Sequence, residues 1–201
     1  MPPADDIQRY LTGAWRLMMG RPEGLDLLDI SSDGFWNSFF AIILAVPVLG
    51  VTWVNYTNEI AGPDDNLASR VGIVALFAFV DLAAWIIPII VLALAAGPLG
   101  IGDRFVHYVI ASNWGSVITA WSLLPPSALE LIGFDDENPA VGLLYMAIFV
   151  AVMVLIWRLT NSVLQKGPAT ATLVFSGMLA VGVFVYYSLM GYFGLLQEFA
   201  S

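Results

Sequence analysis

The sequence predicts an all-α polytopic membrane protein, a bundle of five transmembrane helices preceded by an amphipathic helix on the cytoplasmic side. Composition is the first reason: 59% of the 201 residues are hydrophobic and 11% charged, where a soluble domain carries about half and about a quarter. Mean hydropathy is correspondingly high, +0.83. The second reason is length. Residues 36–54, 71–96, 105–124, 139–159 and 169–195 form apolar stretches that each reach the roughly 20 residues a helix needs to cross about 30 Å of hydrocarbon. The third is punctuation: Gly97-Pro98, Pro125-Pro126 and Gly167-Pro168 fall between the stretches, where the chain must turn. Residues 146–156 are apolar at every position, unlike the alternating pattern of a transmembrane strand.

The chain divides into a cytoplasmic segment (1–35), the membrane domain (36–195) and a short outward tail (196–201). In the first segment Ile7, Tyr10, Leu11, Ala14, Leu17 and Met18 recur at three- and four-residue spacing, and Gly20 with Pro22 ends the pattern. Such a helix either lies on the membrane surface or docks a partner, or packs on its own bundle with Trp15 at the interface. The same segment carries Asp5, Asp6, Glu23, Asp26 and Asp29 and lacks the cationic-then-apolar pattern of a removable leader.

Basic residues alternate with the spans. Arg9, Arg16 and Arg21 precede the first, Arg104 lies between the second and third, and Arg158 and Lys166 close the fourth; the opposite side has Arg70. The positive-inside rule then places the N-terminus in the cytoplasm and the C-terminus outside, in what we take as a bacterial inner membrane. A re-entrant third segment, giving four spans, would put Arg158 and Lys166 outside and fits the charges less well. Ser112, Asn113 and Ser116 do lower the hydropathy of that segment. Its small residues Ala111, Ser112, Gly115, Ser116, Thr119 and Ala120 let neighbouring backbones approach, which predicts the central helix of the bundle, with Trp114 and Trp121 facing lipid or plugging gaps.

Much chemistry is excluded. With no cysteine and a single histidine, disulfides, thiolate metal sites and multi-histidine sites are out of reach. A net charge of −9 argues against a nucleic-acid partner. The acidic loops 63–66 and 135–138 lack the ligand spacing of a calcium loop. No catalytic triad, phosphate loop or HExxH motif occurs, so no catalytic residue, cofactor or metal is expected and the protein reads as a non-enzyme. Asn55-Tyr56-Thr57 fits a glycosylation pattern but abuts the first span.

Asp81 is the one ionisable residue near mid-membrane, about 15 Å below the outer boundary at 1.5 Å per residue. A carboxyl at that depth needs a partner, a proton or water. Counting places Asn113 of the third span and Ser176 of the fifth at a similar height, and Pro47 and Pro88 free the carbonyls of Ile43 and Ala84. Asp81, Asn113 and Ser176 therefore form a candidate intramembrane polar site. It serves either a proton-linked cycle or simple hydrogen-bonded adhesion between helices. Arg9, Arg16, His107 and Arg158 are candidate lipid or partner contacts at the cytoplasmic interface, where arginine also serves as a plain topology anchor.

Asp33-Gly34-Phe35-Trp36 at the start of the first span is similar to the Asp-x-x-Gly-Pro-Phe-Trp pattern of Yip1-like membrane proteins, and the five-span layout resembles theirs. The Tyr-Gly-Pro core and the Gly-Tyr-Gly motif of that family have no counterpart here. The resemblance implies a membrane scaffold or accessory protein and transfers no functional residue. Two functions are thus expected: a non-enzymatic scaffold that binds membrane lipids and a membrane protein partner or further copies of itself, or a small proton-linked permease using Asp81.

Overall fold

The computed structural model describes residues 2–62, 66–134 and 139–198. Nine α-helices occur among them: α1 (Ala4–Met18), α2 (Ser32–Ser38), α3 (Ala41–Ile60), α4 (Leu67–Ala95), α5 (Phe105–Ser122), α6 (Leu124–Leu131), α7 (Pro139–Leu164), α8 (Pro168–Tyr192) and α9 (Leu195–Glu198), with a 3-10 helix at Pro22–Leu27. No strand interrupts them among the described residues. The acidic stretches 63–65 and 135–138, weighed above as calcium loops, lie outside the described residues, as do 199–201 of the tail.

Four helices are long and apolar enough to cross a membrane: Ser32–Ile60, which joins α2 and α3, then Leu67–Ala95, Pro139–Leu164 and Pro168–Tyr192. This is the pattern of a multi-pass membrane protein. Just 6% of the α7 window is buried within the fold, and Leu143, Met146, Phe149, Val150 and Val154 stand exposed along it. A surface that apolar has no counterpart on a soluble monomer.

The fifth expected span, α5, is not among those four. Its polar and small residues lower its hydropathy, and much of it is packed against other helices. Nine of its 18 residues are buried, and α1, α2, α3 and α7 all pack against it, so it is the central helix expected from its small-residue stripe. Trp114 is fully buried with its ring 5.1 Å from Tyr10. Trp121 is about half exposed and donates to the Leu44 carbonyl at 2.9 Å, one turn before Pro47.

Helix α1 spends its apolar face inside the molecule. Tyr10, Ala14, Leu17 and Met18 are buried against α5 and α7, while Gln8, Arg9, Thr12, Trp15 and Arg16 are exposed. The 3-10 helix closes over α1 at a contact that only glycine permits: a Cβ on Gly24 would sit 2.5 Å from the Gly13 carbonyl oxygen, and one on Gly13 would sit 2.8 Å from that of Gly24. The turn into α2 is fixed by polar capping. Ser31 accepts from the Gly34 amide at 3.0 Å, and Asp29 accepts from the Ser31 amide at 3.0 Å. Gly34 of the Asp-Gly-Phe-Trp motif lies so close to the Asp29 carbonyl that a Cβ would be 1.9 Å from it.

These contacts predict opposite outcomes for one kind of substitution. Gly13→Ala and Gly24→Ala should each lower stability by about 1–3 kcal/mol through overpacking. Gly50→Ala, inside α3 with nothing within 4 Å of the new methyl, should raise it by up to about 1 kcal/mol. Unfolding titrations in mixed micelles read both.

Candidate functional site

Asp81 is the central residue of the 29-residue α4, and one turn further on lies Trp85. Both residues face α3 and α5, and the helix places their polar groups in two separate hydrogen bonds. The Trp53 indole of α3 donates to Asp81 Oδ2 at 2.6 Å. The Trp85 indole donates to Asn113 Oδ1 at 3.2 Å, and the Asn113 amide donates to Ser38 Oγ at 2.9 Å. Asn113 is fully buried, so these bonds meet an amide that has no water to turn to. Ser38 in turn donates to the Phe35 carbonyl at 2.7 Å, which links the aromatic end of α2 to the centre of the bundle.

The expected triad is therefore not assembled. Asp81 and Asn113 each take an indole N–H and are not bonded to each other, while Ser176 is exposed on α8, outside the site. Depth misplaced Ser176 as well. Gly182 of α8 lies against Ala84 and Pro88, and Phe193 against Phe79. Ser176, six residues before Gly182, therefore stands about 9 Å further from the level of Asp81, and rotation then turns it outward. Ser176 stands two residues, about 200° of helix, past the buried Val174. The carbonyl of Ala84, freed by Pro88, faces Gly182 of α8, whose added Cβ would lie 3.6 Å away.

A cavity of about 830 Å³ does lie beside Asp81. It is walled by α3, α4, α5, α6 and α7, with Thr52, Asp81, Trp85, Thr119, Ser127 and Tyr145 on its surface. Its exposed lining residues are Gly142, Met146 and Phe149, all on α7, so that helix forms the rim. A second cavity of about 190 Å³ adjoins it through Ala84, Trp85, Ser116 and Thr119 and is lined by Pro88. Neither Asn113 nor Ser176 nor Pro47 borders either one.

Helix α6 shapes the far end of the large cavity. The Asn55 amide donates to the Ser127 carbonyl and to Glu130 Oε2, both at 3.0 Å. The Ser127 hydroxyl meets Thr52 at 3.3 Å and Tyr145 at 3.2 Å, which ties α3, α6 and α7 together. Asn55 is 6% exposed, so its glycosylation pattern is occluded by the fold.

At the opposite end Lys166 pairs with Asp103 at 3.1 Å and Arg104 donates to Gln165 at 3.0 Å. The Lys166 ammonium holds the Asp103 carboxyl below the ordinary carboxylate range. Arg158 donates to the Met19 carbonyl and closes the C-terminal end of α1. Arg9 pairs with Asp6 at 3.1 Å and Arg16 is exposed. His107 at the start of α5 is half-buried, and its Nδ1 has no hydrogen-bond partner. These four residues do not converge on one site; Arg158 is committed to α1. Among the described residues no group of three metal-ligating side chains occurs.

Sequence reasoning missed Trp53, Trp85 and Ser38 as the partners, and Thr52, Ser127 and Tyr145 as cavity residues. An indole set 28 positions before each of Asp81 and Asn113 was the available sign, because adjacent antiparallel helices joined by a short turn bring such positions to one depth.

No family model, curated protein or solved structure matches the chain.

Removing the buried amide of Asn113 should cost more than replacing the carboxyl of Asp81 by an amide. Asn113→Ala leaves the Trp85 indole N–H without an acceptor and should cost about 1–2 kcal/mol. Asp81→Asn keeps an acceptor oxygen for Trp53 and should cost less, a ranking that parallel unfolding titrations in bicelles will check.

Proposed function

We propose that this chain is a non-enzymatic, five-crossing integral membrane protein that holds a component of the bilayer in the cleft between α4 and α7. The cavity of about 830 Å³ carries the reading. Its size falls in the range of about 300–1,000 Å³ typical of ligand pockets, its rim is a helix with almost no burial inside the fold, and polar groups line its floor. A molecule in the acyl region reaches such a cleft sideways.

The fifth crossing is α5 continued by α6. The start of α5 lies beside the α7–α8 connection, through Arg104 and Gln165, and α6 is bonded to Asn55 near the far end of α3. A helix pair that begins and ends so traverses the bundle. Arg158, Arg104 and Lys166 then share one end with the α1 terminus, and Arg70, bonded to Asn58 at 3.3 Å, marks the other. By the positive-inside rule the first end is cytoplasmic, which keeps the N-terminus inside and the Yip1-like layout in a bacterial inner membrane. Since α1 is committed to α5 and α7, a partner meets the lipid-facing helices and not a free α1 lever.

The cleft reading predicts that the protein, extracted gently and examined by native mass spectrometry, retains a bound small molecule at fixed stoichiometry. Gly142→Phe, which places a ring on the rim where nothing lies within 4 Å of a new Cβ, should lower its occupancy without unfolding the chain. Equal bulk-lipid adducts in both proteins would contradict the proposal. The same spectra count any further copies or foreign subunit.

Asp81 on the cavity wall favours a second reading, a proton-linked permease. In that case Asp81→Asn should abolish proton-driven uptake in liposomes while insertion is unchanged; uptake equal to wild type would remove the permease.

A further inference from the structure

The chemistry of the cleft selects among membrane components, and this inference rests on the cleft reading above. Three of its polar residues offer oxygens that can accept, and two of them have no proton left to give. The Ser116 hydroxyl donates to the Asn113 carbonyl at 2.6 Å, and the Thr119 hydroxyl donates to the Ser116 carbonyl at 3.0 Å. Both protons are thus committed to the α5 backbone, and the remaining lone pairs are acceptors. Asp81 is an acceptor on the opposing wall, and Trp53 is its only donor among the described residues, occupying Oδ2. Among the described residues no arginine, lysine or histidine lines the cavity. The Thr52, Ser127 and Tyr145 hydroxyls that line it are bonded to one another, so an anionic headgroup would meet a carboxyl and spare lone pairs with no cation to compensate, the arrangement that electrostatic complementarity rejects. A donor headgroup meets three acceptors.

An amine satisfies the same acceptors but brings an ammonium to the centre of a 29-residue helix, where desolvating it together with a carboxylate is costly. A hydroxyl does not. The rest of the wall, Leu49, Met146, Phe149 and Val152 among it, is apolar and suits a hydrocarbon chain.

We propose that the cleft is a selective site for a long-chain alcohol, a lipid whose headgroup is a free hydroxyl with no phosphate, which donates to Asp81 while its chain lies along α7. A diacylglycerol and a polyprenol share that chemistry.

Photolabelling of the full chain in nanodiscs tests it, with three probes that carry a chain diazirine: a diacylglycerol, a polyprenol and a phosphatidylglycerol with the same chains as the diacylglycerol. Peptide mass mapping then reads the labelled residues. The diacylglycerol or the polyprenol should label Tyr145, Met146, Phe149 and Val152 at least about tenfold more than phosphatidylglycerol does, and whichever of the two dominates identifies the source. Excess unlabelled alcohol should suppress that label in the wild-type chain, and excess phosphatidylglycerol should not. Asp81→Leu should reduce labelling to the phosphatidylglycerol level, whereas Asp81→Asn, which keeps an acceptor oxygen, should retain it; an equal loss in both variants would overturn the acceptor role. Equal labelling of the cleft by all three probes would overturn the headgroup selectivity and leave the cleft reading standing. Labelling confined to outward residues such as Leu173 and Phe184, with none in the cleft, would overturn both. If Asp81→Leu fails to insert, the competition on the wild-type chain decides alone.

Discussion

Everything in this fold is arranged around a helix too polar to face lipid. Asn113 sits at zero exposure in α5, and an amide there is stable only while donor and acceptor both find partners. Ser38 and Trp85 supply them from two different elements, so the bonds do more than satisfy one residue. They fix how far the turn into α3 and the middle of α4 stand from α5, and how each is rotated. The hydrogen bond from Trp121 to Leu44 repeats the arrangement two turns higher.

The two sides of α5 are treated differently. On one side α1 is pressed against it, with Tyr10 on Trp114 and Leu17 and Met18 fully buried. The close approach of Gly13 and Gly24 and the Arg158 bond to the Met19 carbonyl hold α1 there. On the other side Ser116, Thr119 and Ala120 leave a gap toward α4 and toward residues 142–152 of α7, where Gly142 adds no bulk. The gap is the cavity. The small-residue stripe that permits close packing against α1, through Gly115 and Met18, is continued on its open side by residues that leave space. Helix α6 limits that space, fastened by Asn55, Thr52 and Tyr145 to its neighbours.

Long apolar helices were legible from length and hydropathy, since lipid imposes a one-dimensional requirement that a sequence displays directly. The first runs from Ser32 to Ile60 and not 36–54, because Ser31 caps it early and Asn55 of its polar end is bonded to α6. The central place of α5 was legible in its stripe of small residues. What sequence could not supply was rotation. Asp81 and Asn113 were matched by depth, but each turns toward an indole; Ser176 lies beyond the level of Pro88, by the packing of Gly182 and Phe193 on α4, and turns outward. His107 and the three arginines were grouped by their side of the membrane, and that grouping says nothing about convergence.

In the proposed arrangement α5, packed against α1, α2, α3 and α7, opens to the acyl region through the cleft. Nitroxide accessibility measures this directly, and the cysteine-free sequence makes single labels simple to install. With the label at Thr119, a cleft residue, or at Val109, which is fully buried, relaxation by dissolved oxygen in bilayers should be high at position 119 and low at 109. A water-soluble nickel chelate should reach neither. Equal protection from oxygen at both positions would contradict the cleft, and with it the functional account built on it.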